Sequence, residues 1–199
     1  MGEPAGKPHI RYADYLALEK SSQTKHEWLN GQVFDMEALG MSGGRPEHAL
    51  RIAAVIAALR VALRAKRGST YASELKVRIH GTGLATYPDA SVICGKLETD
   101  PEDDLAVVNP TVLVEVLSPT SEAYDRGAKF AHYRRIPSLR DYVMVNCSEP
   151  RIEVYHRGES GRWELDEAGA GESIEITSLG VALSVDEIYA DPLAEAAAG

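Results

Sequence analysis

A chain of 199 residues, 44% hydrophobic and 26% charged, carries enough apolar material for one well-buried core, so residues 1–199 are expected to form a single domain. Two cysteines, Cys94 and Cys147, cannot build a structural zinc site by themselves, and no apolar run approaches the ~20 residues of a membrane helix. A net charge of −9 argues against a protein that coats nucleic acid through bulk positive charge.

The opening Met1-Gly2-Glu3-Pro4-Ala5-Gly6 has neither a basic start nor an apolar stretch, so a cytoplasmic protein is expected. Residues 1–9 are expected to be loose. A helix is predicted from Tyr12 to Glu19, and then Asn30-Gly31 between two apolar pairs predicts a tight hairpin, because both turn residues must accept positive φ. Residues 37–46 carry Gly40, Gly43, Gly44 and Pro46 and read as a loop. From Glu47 to Lys66 the apolar residues Ile52, Val55, Ile56, Leu59 and Leu63 recur at helical spacing, Pro46 suits the first turn, and Gly68 stops the helix. Between Arg45 and Arg67 stand six basic residues and one acid, with Arg60, Arg64 and Arg67 on a solvated side; a local basic face on an acidic protein is compatible with this distribution.

Two strands follow, joined around Gly81-Thr82-Gly83. The first runs from Thr70 to Ile79, with Leu75, Val77 and Ile79 alternating against Glu74, Lys76 and Arg78. The second runs from Leu84 to Cys94. The acidic stretch 98–104 reads as a loop. Pro110 leads into an apolar strand over 111–117, and Ser118-Pro119 has the signature of a helix start, serine as cap and proline as first helical residue. That helix is predicted to reach Ile136. Leu139 to Val145 reads as a central strand, Arg151–His156 and Arg162–Asp166 as a hairpin, Ser173–Thr177 as a short strand and Val185–Tyr189 as a last helical turn. The alanine-rich end, 192–199, should fray. The fold class is mixed α/β, a sheet flanked by helices.

Two-residue periodicity in 112–117 puts Glu115 in the stripe of Leu113 and Leu117. A carboxylate there loses its water, so it needs a lysine or arginine partner, or a metal ion. Asp89, after Pro88, stands 26 residues before Glu115, a separation that suits neighbouring strands; Asp after Pro is also ordinary turn chemistry. Lys129 lies one helical turn after Asp125 and one before Tyr133. It either forms an exposed ion pair with Asp125 or reaches over the strand ends.

Tyr87-Pro88-Asp89-Ala90, then Leu113-Val114-Glu115-Val116-Leu117-Ser118-Pro119-Thr120-Ser121, then Tyr124-Asp125-Arg126-Gly127-Ala128-Lys129-Phe130 with Tyr133, resembles the Uma-two family, a bacterial branch of the restriction-endonuclease-like PD-(D/E)XK proteins. The resemblance extends to the Tyr15–Glu19 opening, the Trp28–Val33 hairpin and the Pro137–Val145 strand. It implies a restriction-endonuclease-like core of helix, three strands, helix and strand, with appended β-hairpins. It also implies magnesium held by Asp89 and Glu115, with manganese able to substitute, and Lys129 as the third catalytic residue. The superfamily's lysine position, two residues after Glu115, is Leu117 here, and Lys129 matches the shifted position of the Uma-like branch. Glu47 and His48 resemble the family's Glu/His position, an additional ligand or a water-orienting pair; a local hydrogen bond at a helix end serves a histidine equally well.

The resemblance thus implies a Mg2+-dependent endonuclease acting on DNA, working as a homodimer. A metal-dependent phosphoesterase on a smaller nucleotide and a catalytically silent DNA-binding or scaffold member are the rival readings.

Overall fold

The computed structural model describes residues 9–38 and 45–191. The expected loose ends at 1–8 and 192–199, and loop residues 39–44, lie outside the described residues. His9, counted above with the loose end, instead sets its ring against Gly31: a Cβ at Gly31 would fall 2.4 Å from that ring.

In chain order the elements are α1 (Tyr12–Ser21), β1 (His26–Leu29), β2 (Gln32–Asp35), α2 (Pro46–Ala62), β3 (Ser69–Ala72), β4 (Lys76–Ile79), β5 (Leu84–Thr86), β6 (Ala90–Ile93), β7 (Thr99–Asp100), β8 (Asp103–Val107) and β9 (Val112–Leu117). A short helix α3 (Glu122–Tyr124), a π-helical turn (Asp125–Lys129) and α4 (Phe130–Tyr133) then run as one rod into β10 (Asp141–Asn146). The chain closes with β11 (Arg151–Arg157), β12 (Trp163–Gly169), β13 (Ser173–Ile176), a 3-10 turn (Thr177–Leu179), β14 (Val181–Ser184) and α5 (Val185–Tyr189).

Two six-stranded sheets face each other. The first has the order β2-β1-β5-β4-β8-β7 and the second β12-β11-β10-β9-β6-β3. In the second, β3, β6 and β9 pair antiparallel and β10 joins β9 in parallel across the α3–α4 rod, the connection that parallel neighbours require. With α2 ahead of β3, this is the helix, three strands, helix, strand core of the restriction-endonuclease-like fold. One face of the second sheet packs on α2, α5 and β13–β14 through Val55, Leu59, Val114, Val143 and Ile188. The other meets the first sheet and the rod through Leu113, Tyr133, Ile136, Met144, Val77 and Leu84. Helix α1 covers the outer face of the first sheet with Tyr12 and Tyr15 against Trp28. The hairpin forms at Asn30-Gly31, both at positive φ (46° and 89°).

Several boundaries differ from the sequence expectation. The single strand expected over Thr70–Ile79 is β3 and β4, which lie in different sheets, and the one expected over Leu84–Cys94 is β5 and β6, likewise divided. Tyr87-Pro88-Asp89 is the second crossing point: Pro88 has no N–H to give a ladder, and alternation of apolar residues continues through such a break unnoticed. Lys76 and Arg78, polar members of that alternation, do not face solvent. They are buried under α1, Lys76 Nζ 2.8 Å from Asp103 Oδ2 and the Arg78 guanidinium 4.2 Å from the Tyr12 ring centre. Their partners explain the acidic stretch 98–104, which forms the β7–β8 hairpin in place of the expected loop; Asp100 and Asp103 are buried there. Helix α2 ends at Ala62, short of Lys66. The helix expected to open at Ser118-Pro119 begins at Glu122, because Ser118 closes a turn first: its carbonyl accepts from Ser121 N–H at 3.1 Å and its hydroxyl from the same group at 3.2 Å.

Candidate active site

The register of β6 on β9 runs Ala90↔Val114, Ser91↔Leu113, Val92↔Val112. Continued by one residue it sets Asp89 opposite Glu115, so both acids leave the same face of the sheet as Leu113, the face toward the rod. Asp89 has left the ladder, and its side chain takes over for the backbone: Oδ2 accepts the Val116 N–H at 2.7 Å. That bond points the carboxylate back along β9.

The rod supplies the cation. Phe130 stacks on Tyr142 and Tyr155 (ring centres 5.3 and 4.4 Å apart), and Tyr133 meets Tyr142 edge-on at 5.4 Å, which fixes α4 against β10 and β11. Arg126 adds an ion pair to Glu153 of β11 at 2.5 Å. Asp125 and Lys129, four residues apart along the π turn, both face inward. Lys129 Nζ lies 2.9 Å from Glu115 Oε1 and 3.3 Å from Asp125 Oδ1. The exposed Asp125–Lys129 pair entertained from the sequence is therefore a buried one, each residue 2% exposed. Tyr133 donates its hydroxyl to Glu115 Oε1 at 2.7 Å.

His48 stands at the first turn of α2. Its Nε2 is 2.9 Å from the Val116 carbonyl, an oxygen that can only accept, so Nε2 carries the proton; the same nitrogen is 3.7 Å from Asp89 Oδ2. Glu47, named with it in the sequence reading, is exposed and does not line the site. On a helix adjacent residues point about 100° apart, so the two could not both turn inward.

Asp89, Glu115, Asp125, Lys129, His48 and Ser121 border a cavity of about 20 Å3, which has room for roughly one water or one ion. Burial pushes the Glu115 carboxyl well above the usual carboxylate range and raises Asp89 as well, the Val116 N–H and His48 opposing the latter. Burial alone would lower Lys129, but Glu115, Asp125 and Glu27 outweigh it and hold its ammonium well above the usual lysine value. Glu27 of β1 is a further buried carboxylate nearby. Three buried acids and the part-buried Asp89 thus surround one ammonium, and beyond its ion pair with Lys129 the Asp125 Oδ1 has no hydrogen-bond partner among the described residues.

This donor set suits a hard divalent cation. Among the described residues no three His, Cys, Asp or Glu side chains form a ready-made metal cage. Magnesium does not ask for one: one or two carboxylates hold it and water completes its shell. Asp89 and Glu115, excess in negative charge and paired across two strands, fit it.

Among the described residues no helix is long and apolar enough to cross a membrane. Two proteins of Synechocystis sp., both named as uncharacterized, align over most of their length: slr1290 is 34% identical over 185 residues, 92% of each chain, and sll1609 is 27% identical over 164 residues, 82% of this chain and 89% of the relative. The crystal structure of a "putative nuclease belonging to DUF820" from Anabaena variabilis superposes with a TM-score of 0.71, covering 90% of this chain and 97% of that one at 14% identity, a likeness of fold. Residues 12–186 match the family Uma2, described as "Putative restriction endonuclease", and the chain belongs to that family.

Proposed function

We propose that this chain is a nuclease that hydrolyses DNA phosphodiester bonds with Mg2+ as its cation, Mn2+ being able to replace it. The observation that carries the reading is the meeting of Asp89, Glu115 and Lys129, from three separate elements, around one ion-sized cavity. The family description and the nuclease-named structural relative point the same way.

Asp89 and Glu115 would hold the cation. When bound, Mg2+ supplies a Lewis acid for the scissile phosphate and makes water a better nucleophile at neutral pH. Lys129, kept protonated by its carboxylate neighbours, donates an N–H to the phosphoryl oxygen that gains charge during in-line attack. Tyr133 fixes Glu115 through Oε1, and the Val116 N–H fixes Asp89 through Oδ2. His48 holds its Nε2 proton on the Val116 carbonyl and so steadies the end of β9 from which both acids are aimed.

The cavity also bears on substrate size. At about 20 Å3 it cannot enclose a nucleoside, so the phosphodiester must be presented from outside, as a polymer backbone lying across the site can do. A plasmid-nicking assay with Mg2+ or Mn2+ on the wild type, Asp89→Asn and Lys129→Met tests the proposal: metal-dependent cutting by the wild type that both variants lose is expected. Binding of metal without any cutting would leave a silent scaffold instead.

A further inference from the structure

Glu27 is 2% exposed, as buried as the acids of the site, yet among the described residues no Lys, Arg or His nitrogen lies within ion-pair distance of it. Hydroxyls meet both of its oxygens. Oε1 accepts from Thr86 of the neighbouring strand β5, and Oε2 accepts from Tyr124 at 2.9 Å. A carboxyl group buried this deeply is costly unless its oxygens are satisfied, and these two hydroxyls are the donors that meet them.

The second hydroxyl shows where the cost is spent. Tyr124 is the residue immediately before the π turn, and Lys129 Nζ sits 5.8 Å from the centre of its ring. The far end of the turn is fixed separately, by Phe130 and Tyr133 on β10 and β11. A π turn has poorer intrinsic geometry than an α-helix and persists where its surroundings hold it. Here the aromatic cluster holds the C-terminal side, and Glu27, from the opposite sheet, holds the N-terminal side.

We propose that Glu27 is a positioning residue: through Tyr124 it clamps the start of the π turn and so aims Asp125 and Lys129 at the carboxylate cavity. Its effect on turnover rests on the nuclease reading above; its effect on the turn does not. The sequence holds the same clue that singled out Glu115. In β1 the acid at 27 shares a strand face with Leu29, an apolar residue of the inter-sheet core.

The test compares Glu27→Ala, Glu27→Gln and Tyr124→Phe in the full chain. Amide hydrogen exchange on the metal-free proteins is expected to speed up about tenfold at residues 125–129 in Glu27→Ala and Tyr124→Phe, with β9 and β10 unchanged. Glu27→Gln, whose amide can accept from one hydroxyl and donate to the other, should restore the protection. In the nicking assay, below the melting temperature of every variant, kcat should fall about 10- to 100-fold in Glu27→Ala with KM changed less than about twofold. Unchanged exchange at 125–129 in folded Glu27→Ala and Tyr124→Phe would overturn the proposal, as would full kcat in both. Should the wild type cut no DNA under any metal, the exchange comparison alone decides the clamp, and only the nuclease reading falls.

Discussion

Lys129 Nζ stands 2.9 Å from Glu115 Oε1, and neither residue is more than 3% exposed. A pair this deep is asymmetric in its energetics: keeping it adds little net stability, but removing one partner strands the other without solvent. Lys129→Met should therefore destabilise the protein by about 3–5 kcal/mol in the absence of metal. Lys129→Met combined with Glu115→Gln should recover a good part of that loss, because the stranded charge is gone. Denaturant titrations of the two single variants and the double close the cycle; additive losses would contradict the contact.

Tyr133 gives a milder perturbation of the same carboxylate. Its hydroxyl is one of two donors to Glu115 Oε1, the Lys129 ammonium being the other. Tyr133→Phe keeps the ring against Tyr142 and removes one charge-assisted bond, so a loss of about 1.5–3 kcal/mol is expected from chemical denaturation. No measurable change would mean that Glu115 is held elsewhere.

How much of this arrangement could be read from the chain depended on distance along it. Glu115 was legible because a single acid interrupts an apolar stripe, and Lys129 because the motif around it resembles a known family. The split of 70–79 and 84–94 between two sheets was not, since Lys76 and Arg78 look like solvent-facing residues until Asp103 and Tyr12 arrive from elsewhere to cover them. The π turn was invisible for a related reason: its extra residue reconciles Tyr124 on Glu27 with Phe130 on Tyr155, two tertiary contacts that local periodicity does not encode. Glu47 lies exposed outside the cavity because a two-residue motif names both neighbours, while a helix turns only one of them inward.

The proposed cation site predicts a stability effect separate from catalysis. A ligand that binds only the folded state stabilises it by mass action, by about 2.7 kcal/mol at a hundredfold excess over its Kd. Melting temperature should rise with added Mg2+ in the wild type and return on chelation, and Asp89→Asn should abolish most of the rise. An equal rise in the variant would place the metal elsewhere.

His132, on α4, gives the chain a pH dependence of its own. Burial lowers its pKa, Glu27 partly opposing, and its Nδ1 is buried without a hydrogen-bond partner among the described residues. The folded form thus disfavours the imidazolium that the unfolded chain forms near pH 6.5. Folded pKa below unfolded pKa means that stability is fully present above that pH and is lost as pH falls through the folded value. Wild type should lose more stability between pH 7 and pH 5 than His132→Gln; parallel losses would show that His132 is not the titrating group.

Gly127 sits in the middle of the π turn, and its conformation tests whether the turn needs glycine or only tolerates it. Its φ does not lie in the left-handed region, and a Cβ built on it would meet nothing within 4 Å. Neither sterics nor backbone strain therefore demands glycine here. Substitution would reduce the freedom of the unfolded chain without disturbing the folded one, so Gly127→Ala should raise stability by about 0.5–1 kcal/mol. Calorimetric melts of the variant check the sign. A decrease would mean that the turn must pass through conformations open only to glycine, and that the clamp exerted by Glu27 and the Phe130 cluster acts on a segment that moves.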